Sequence, residues 1–215
     1  MLHFTGGRID LLVTPNHRIL YYNSGYPRVD TAEHFSNLKY QYLPIQNTVV
    51  PIWRNTKYFE LPAIEKGHRW KSIKCPGIKI PMGDWCAFMG WFLSEGSTRG
   101  SKGGKIRNGQ YGVHISQIKK ESLDIIRNDL SKLPFKWSKG KIGFETNNKQ
   151  LWSYLGQFGH SGERYIPDEI KFSGTENLSI FIDRMVLGDG TYKRRDGGFA
   201  YYTTSERLAN DFREV

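Results

Sequence analysis

The sequence has few cysteines and no long apolar run, and both absences narrow its class. Its two cysteines, Cys75 and Cys86, are not spaced as C-x-x-C, so a zinc site is not predicted. Such low cysteine usage is typical of a reducing intracellular compartment, and we expect a cytoplasmic location, as in a phage or prokaryotic host. The longest apolar stretch, residues 85–93, is too short to span a bilayer. Residues 1–10 do not resemble a secretory signal, so no membrane partner is expected.

Acidic residues are also scarce relative to basic ones. The chain has 21 Asp and Glu against 31 Lys and Arg, which gives a formal net charge of +10. This charge indicates a polyanionic partner, and without a membrane segment nucleic acid is favoured over a membrane surface. A hydrophobic fraction of 38% in 215 residues is sufficient for a packed core.

In the first part of the chain, polar and apolar residues alternate as they do in β-strands. Residues 1–52 are predicted as a small β-rich unit, and residues 53–83 as a basic connector of low periodicity. Thr31 is the expected N-cap of a short helix. The predicted elements are strands over 9–13 and 18–22, a helix over 31–38, and a short strand between Pro44 and Pro51.

From Asp84, the expected N-cap of the next helix, helices and hairpins alternate and the order then restarts. Helix–hairpin–helix–hairpin–helix over residues 84–160 begins again near residue 175, which predicts an internal repeat whose second copy ends early. Asn108-Gly109 and Lys139-Gly140 are the expected hairpin turns. The predicted helices cover 85–96, 121–133, 148–158 and 176–188 and one begins at Ser205, while the predicted strands cover 105–108, 111–117, 135–137, 141–146, 191–194 and 199–203.

Two of these helices end in the same way, each with an acid followed by glycine. The acids are Glu95 and Asp189, 94 positions apart. An acid in the last turn of a helix meets the negative end of the helix dipole, so we expect a cation to hold the pair. Small residues at Gly90, Ser94 and Gly188 would let the two helices pack closely and bring the acids together.

Two neighbouring carboxylates repel each other unless a cation neutralises them. Carboxylate oxygens suit Mg²⁺, or Mn²⁺ in its place, and such a metal beside a basic surface can hydrolyse phosphodiesters. The alternative is that both segments are core helices whose terminal acids are only solvated, since an acid before a C-terminal glycine is common.

The paired segments resemble the signature helices of LAGLIDADG homing endonucleases, and residues 84–215 are similar to the single-chain form of that family. The implied fold class is α+β, with pseudo-symmetric αββαββα repeats, the second incomplete. The implied activity is metal-dependent, site-specific cleavage of double-stranded DNA at a long recognition site. The resemblance assigns Glu95 and Asp189 to the catalytic metals, with Gly96 and Gly190 beside them.

Further residues follow from the same resemblance. Gln117 maps to a polar residue at a strand end near the metal-site water, Ser205 to the same position in the second half, and Lys149 to a catalytic lysine. Arg184 departs from the family pattern, which has a small residue there, so either the second helix is rotated or Arg184 extends outward along an apolar surface. The implied DNA-binding residues are Arg99, Lys102, Lys105, Arg107, Lys119, Lys136, Lys139, Lys141, Lys193, Arg194 and Arg195.

Residues 7–21 resemble the conserved block of intein (Hint) splicing domains in which Thr and His act on the scissile amide, here Thr14 and His17. We expect no splicing by this chain alone, because the upstream nucleophile and the terminal His-Asn are not present. The interpretation is an intein-type homing endonuclease. Two alternatives stay open: a DNA-binding module without cleavage, and one piece of a split intein completed by a complementary fragment.

Overall fold

The computed structural model describes residues 1–6, 9–23, 26–39, 43, 56–68, 71–99, 111–192 and 198–215. It is a mixed α+β structure made of small antiparallel sheets and helices. Contacts divide the chain into two units, Met1–Ile52 and Trp53–Val215. In the described part of the chain, no helix is long and apolar enough to cross a membrane.

The first unit contains two antiparallel strand pairs and one short helix. Strand β1 pairs with β2, and β3 pairs with β4. The elements are β1 (Leu2–Gly6), β2 (Ile9–Val13), β3 (Arg18–Asn23), β4 (Tyr26–Thr31) and α1 (Ala32–Ser36).

This unit has its own small core around Phe35, whose ring centroid lies 5.2 Å from those of Phe4 and Tyr21. Thr31 caps α1 as predicted, because its hydroxyl accepts the backbone N–H of His34 at 3.2 Å. The strands expected over 9–13 and 18–22 are confirmed, whereas β1 and β4 were not predicted. The strand expected between Pro44 and Pro51 lies outside the described residues.

The second unit begins with four strands in the region expected to be a connector. β5 pairs with β8 and β6 with β7, and Phe59, Leu61 and Ile80 bury their side chains from the first of these pairs. In these four strands, basic residues and prolines interrupt the alternation of polar and apolar residues. The sequence pattern therefore does not reveal them as strands. The strands are β5 (Tyr58–Leu61), β6 (Ile64–His68), β7 (Lys71–Cys75) and β8 (Ile78–Pro81).

A run of helices and strands follows, in the order helix, two strands, helix, two strands, helix. Its strands form one antiparallel sheet in the order β11-β12-β10-β9. The elements are α2 (Met82–Glu95), β9 (Gly96–Thr98), β10 (Gly112–Ile115), α3 (Lys120–Ser131), β11 (Ser138–Lys139), β12 (Phe144–Asn147) and α4 (Lys149–Leu155).

After two 3₁₀ turns and the short helix α5, the chain again forms a helix, a strand pair and a helix. β13 and β14 are antiparallel to each other. These elements are α5 (Asp168–Lys171), α6 (Thr175–Asp189), β13 (Gly190–Tyr192), β14 (Phe199–Tyr201) and α7 (Glu206–Glu214).

Helices α4 and α7 begin at side-chain caps, whereas α2 does not begin at its predicted cap. Asn148 and Ser205 cap α4 and α7, and each side chain accepts a backbone N–H of the first turn. Asp84 does not cap α2, because that helix already begins at Met82 after Pro81. Its carboxylate instead lies in the first turn, where the helix dipole favours negative charge.

Of the two predicted hairpin turns, one is present and the other lies outside the described residues. The turn around Lys139-Gly140 is present, and it closes at Gly143, whose φ of +78° favours glycine. A Cβ on Gly143 would also lie 1.9 Å from the carbonyl oxygen of Ile115, so no larger residue fits. The turn expected around Asn108-Gly109 lies outside the described residues.

Candidate metal centre

Helices α2 and α6 pack against each other with almost no space between their backbones. A Cβ on Gly90 would lie 2.7 Å from the carbonyl oxygen of Phe181, and one on Gly188 would lie 2.3 Å from the hydroxyl of Ser94. That hydroxyl donates to the Gly90 carbonyl at 2.9 Å, so it presents no unsatisfied group to the facing helix. The small residues at these positions therefore permit the close approach that the sequence predicts.

The packing brings the two terminal acids to the same end of the helix pair. Both helices end at their acid, Glu95 or Asp189, and the following glycine is the C-cap in extended backbone. Gly188 contacts the last turn of α2 and lies beside the Glu95 side chain. Asp189, the next residue, therefore lies next to the Glu95 carboxylate.

The surroundings at this end of the helix pair raise the pKa of both acids. Burial raises the pKa of Glu95, and the charge of Asp189 raises it further, while Lys119, Gln117 and Arg164 lower it. Burial also raises the pKa of Asp189, against the lowering effect of Arg164 and Lys119. The protein's own cations therefore offset only part of the cost of holding two neighbouring charges.

Gln117 is oriented so that it donates to Glu95. Its side-chain oxygen accepts the backbone N–H groups of Ile118 and Lys119 at 2.9 and 3.0 Å. Because these bonds occupy the oxygen, the amide nitrogen is directed at Glu95 and donates to its Oε1 at 2.8 Å. Gln117 is only 5% exposed, so this orientation is protected from solvent.

Arg164 is a site residue that the sequence analysis missed. Its buried guanidinium donates to carbonyl oxygens in the last turn of α2, at 2.8 Å to Phe92 and 2.6 Å to Leu93, and it also donates to Gly96. A cation at the C-terminal end of a helix opposes the negative end of its dipole. No local pattern reveals this role, because the partners lie about 70 residues away in the sequence.

An open cleft of about 340 Å³ lies beside Asp189. Tyr201 forms part of its wall; burial raises the pKa of this phenol, and the charges of Asp189 and Glu95 raise it further. The phenol is therefore a neutral hydrogen-bonding group at neutral pH. The cleft is lined by Leu93, Ser94, Ser161, Arg164, Asp189, Tyr201, Tyr202, Thr203 and Thr204.

The other predicted site residues have different surroundings. Lys149 donates to the carbonyl of Glu65 at 3.2 Å and lies over the ring of Tyr111. Ser205 caps α7 and donates to the carbonyl of Arg164 at 2.6 Å. The carbonyl of Gly96 already accepts from Arg164, and Gly190 is the C-cap of α6.

Arg184 is held by a buried acid of α3. Its guanidinium Nε donates to the carboxylate of Asp129 at 2.7 Å, and the same oxygen accepts the Trp91 indole N–H at 3.0 Å. Asp129 is 1% exposed, so Arg184 turns inward to a buried acid on α3 instead of extending over an apolar surface. Gly90 leaves room for the Arg184 Cβ, which explains why a long residue is tolerated here.

The basic residues expected to bind nucleic acid are distributed over several surfaces. Lys119 is exposed near the carboxylate pair, and Arg99 and Lys136 line a cleft of about 310 Å³ on the four-stranded sheet, together with His114 and Glu145. Lys139 and Lys141 are exposed in the β11–β12 hairpin. The remaining six, Lys102, Lys105, Arg107, Lys193, Arg194 and Arg195, lie outside the described residues.

In the first unit, Thr14 and His17 flank an exposed turn. The backbone N–H of His17 donates to the carbonyl of Thr14 at 3.0 Å, and the His17 carbonyl accepts from Ala32 at 2.7 Å. These contacts fix the turn before β3 and the start of α1. The backbone contacts give the Thr-Pro-Asn-His string a structural role at this turn.

The carboxylate pair offers two oxygen ligands from the protein. Among the described residues, no group of three or more His, Cys, Asp or Glu side chains gathers at one point. Mg²⁺ is commonly held by one or two carboxylates and keeps several waters. Glu95 and Asp189 meet this requirement, and both oxygen donors lie where a positive charge is needed.

No family model matches the sequence. The chain is similar to an ATP-dependent Clp protease proteolytic subunit of Chlamydomonas moewusii, with 33% identity over 219 residues that cover 94% of the chain. It is also similar to a DNA-directed RNA polymerase subunit beta C-terminal section of Stigeoclonium helveticum, with 26% identity over 255 residues that cover 98% of it. The chain spans only 21% and 23% of these relatives' lengths.

These comparisons contradict the family assignment drawn from the two helical segments. Neither relative bears the name of an endonuclease or an intein, and no family model supports either. The assignment to LAGLIDADG homing endonucleases of intein type is therefore corrected. The predicted DNA cleavage is wrong on the same findings, as are the two alternatives, a DNA-binding module and a piece of a split intein. The predicted partners, double-stranded DNA and a complementary intein fragment, are corrected with them. The physical reason is that small residues and terminal acids specify close helix packing and charge, not an activity.

Proposed function

We propose that the second unit binds a divalent cation, Mg²⁺ or Mn²⁺, between Glu95 and Asp189. The observation that carries this proposal is the meeting of two carboxylates at the ends of closely packed helices, where burial raises the pKa of both. A divalent cation would neutralise the pair and oppose both helix dipoles at once. Gln117 would hold the Glu95 carboxylate in a fixed orientation for the metal.

We also propose that the chain is a module embedded in longer polypeptides. Two proteins with different named activities, a protease subunit and a polymerase subunit, each match nearly all of the chain with about a fifth of their own length. A region common to both is not expected to carry the activity that distinguishes either one. On this proposal, the cation site belongs to the module itself.

Within the module, we propose that one αββαββα unit and an incomplete second copy of it face each other through α2 and α6. The support is the order of elements, since α6, β13, β14 and α7 follow the same order as α2, β9, β10 and α3. The facing helices would then contribute equivalent acids to one site. This arrangement is an expectation from topology, and it gives both carboxylates the same position relative to their helix.

Titration calorimetry with Mg²⁺, together with electron paramagnetic resonance of Mn²⁺, tests the cation site. We expect one ion per chain, and at least tenfold weaker binding in Glu95→Gln and in Asp189→Asn. Glu121→Gln is the matched control, because it removes an exposed carboxylate from the first turn of α3. Equal Mn²⁺ binding by the wild type and both site variants would refute the proposal.

A second candidate function is suggested by the name of the first relative. We propose that the longer polypeptide is a proteolytic subunit whose nucleophile lies outside this chain. The buried hydroxyls of Ser173 and Ser205 donate to backbone carbonyls, and burial raises the pKa of the Cys86 thiol to about 12, so all three are poor nucleophiles. We expect no casein hydrolysis by this chain alone, and hydrolysis by it would place the peptidase centre here instead.

A further inference from the structure

The last turn of α2 is stabilised by a nearby cation. Four carbonyl oxygens at a helix C-terminus lack partners within the helix, and α2 has no basic residue in its own last turn. It also ends in the carboxylate of Glu95, which adds negative charge to the negative end of the dipole. A stable last turn therefore requires a positive group from elsewhere in the chain.

Arg164 supplies that group from the segment that follows the second 3₁₀ turn. One guanidinium nitrogen donates to Phe92 and Leu93 and lies 3.4 Å from the carbonyl of Ser94, and the other nitrogen donates to Gly96. The guanidinium carbon lies 5.5 Å from the Phe92 ring centroid. This planar fork contacts the residues on both sides of Glu95, which a single-point cation such as lysine cannot do.

The position of Arg164 is itself fixed. The residue is 6% exposed, and Ser205, the buried N-cap of α7, donates its hydroxyl to the Arg164 carbonyl at 2.6 Å. The same serine hydroxyl accepts the backbone N–H of Leu208 at 3.1 Å. The start of α7 is thus connected through Arg164 to the end of α2.

We propose that Arg164 is the positioning residue of the cation site, and that it holds the last turn of α2 so that Glu95 faces Asp189. This inference rests on the proposed function, because the cation is what the positioned carboxylate would bind. The groups that surround Glu95 are Arg164, Asp189 of α6, Gln117 and Lys119 after β10, and Tyr201 of β14. Of these, only Arg164 bonds to the backbone of the turn that carries Glu95.

Two measurements on Arg164→Lys and Arg164→Met separate this role from general stability. The first is Mg²⁺ affinity by calorimetry, which we expect to fall about tenfold in both folded variants, as for other residues that orient metal ligands. The second is amide hydrogen exchange without metal, which we expect to accelerate at Gly96 and Ser116, whose N–H groups donate to Phe92 and Glu95. Arg127→Lys is the control, because Arg127 is exposed and makes only a local ion pair with Asp124 and a cation–π contact with Phe144, and lysine keeps its charge.

The two measurements distinguish failure of the proposed cation site from failure of the proposed Arg164 role. If the wild type binds no Mg²⁺, the proposed function is refuted, while the exchange rates still test whether Arg164 holds the turn. If Arg164→Lys exchanges at Gly96 and Ser116 at the wild-type rate, or binds Mg²⁺ as tightly as the wild type, the positioning role is refuted. Unchanged behaviour in Arg164→Lys with loss only in Arg164→Met would show that charge alone is required, which also overturns the proposal.

Discussion

Gly188 of α6 lies directly on Ser94 of α2, with no room for a methyl group between them. A Cβ on Gly188 would lie 2.7 Å from the Cβ of Ser94 as well as 2.3 Å from its hydroxyl. The contact is one residue before each terminal acid, so the separation of the two helix backbones here also sets the separation of the two carboxylates. The packing of the two helices and the geometry of the candidate cation site therefore depend on the same contact.

Gly90→Ala is expected to destabilise the protein by about 2 kcal/mol, because overpacking a helix interface forces its backbones apart. The new Cβ would meet the carbonyl oxygen of Phe181 at 2.7 Å, and that backbone atom cannot move alone. Gly83→Ala in the same helix is the control, since its nearest neighbour lies 3.4 Å away and alanine favours helix. Urea unfolding checks both variants, and equal midpoints would contradict the packing argument.

Asp129→Asn is expected to cost about 2 kcal/mol, because it removes the buried one of the two carboxylates that pair with the half-buried Arg184 guanidinium and leaves only the partly exposed Asp183. The Trp91 indole bond to the same carboxylate would also be weakened. Asp124→Asn on the same helix removes only an exposed pair with Arg127 and should cost less than about 1 kcal/mol. Chemical denaturation at neutral pH distinguishes them; similar losses in the two variants would mean that Asp129 is not a buried anchor.

The carboxylate pair should make the protein more stable as the pH falls from 7 towards 4.5. The pKa values of Glu95 and Asp189 are raised in the folded state, so the folded state binds more protons than the unfolded state in this range. The gain ends below the ordinary pKa values of these acids, where both states are protonated. The free energy of unfolding, measured in urea across this range, should depend less steeply on pH in a Glu95→Gln, Asp189→Asn double variant. Glu121→Gln should keep the wild-type dependence, and parallel curves for all three proteins would refute the argument.

The two cysteines should differ strongly in reactivity. Burial raises the pKa of the Cys86 thiol to about 12, whereas Cys75 is partly exposed at the end of β7. At pH 8, a disulfide reagent such as DTNB should modify one thiol per chain rapidly and the second only in denaturant. Cys75→Ser should abolish the rapid phase, and rapid release of two equivalents from the native protein would contradict the buried position of Cys86.

The parts of the fold that the sequence predicts are those with a local signal. Thr31 caps α1 as expected, and Asn148 and Ser205 cap the two helices that were predicted to begin at them, because each cap is decided within four residues of chain. The small residues of α2 and α6 likewise predict their close packing. Strands β5 to β8 lack such a signal, because they pair in two ladders whose partners are not distinguished by alternation alone.

The environment of the carboxylate pair was only half predictable. The sequence indicates that a cation must balance Glu95 and Asp189, but not that Arg164 supplies part of the charge. Likewise, Asp129 and Arg184 are paired across 55 positions, so the burial that makes the pair important is a tertiary property. Motifs identify the residue types here, while the partners that determine their chemistry come from distant segments.

The pairing of α2 with α6 also determines when the site can exist during folding. The two carboxylates are 94 positions apart, so the chain between them must be closed into a loop before they meet. Contacts of such long sequence separation slow folding and form late. A fragment that ends before α6, or a chain still emerging from the ribosome, has Glu95 without its partner. On the proposed function, cation binding would therefore report that α2 and α6 have come together, which makes the ion a marker of that step of folding.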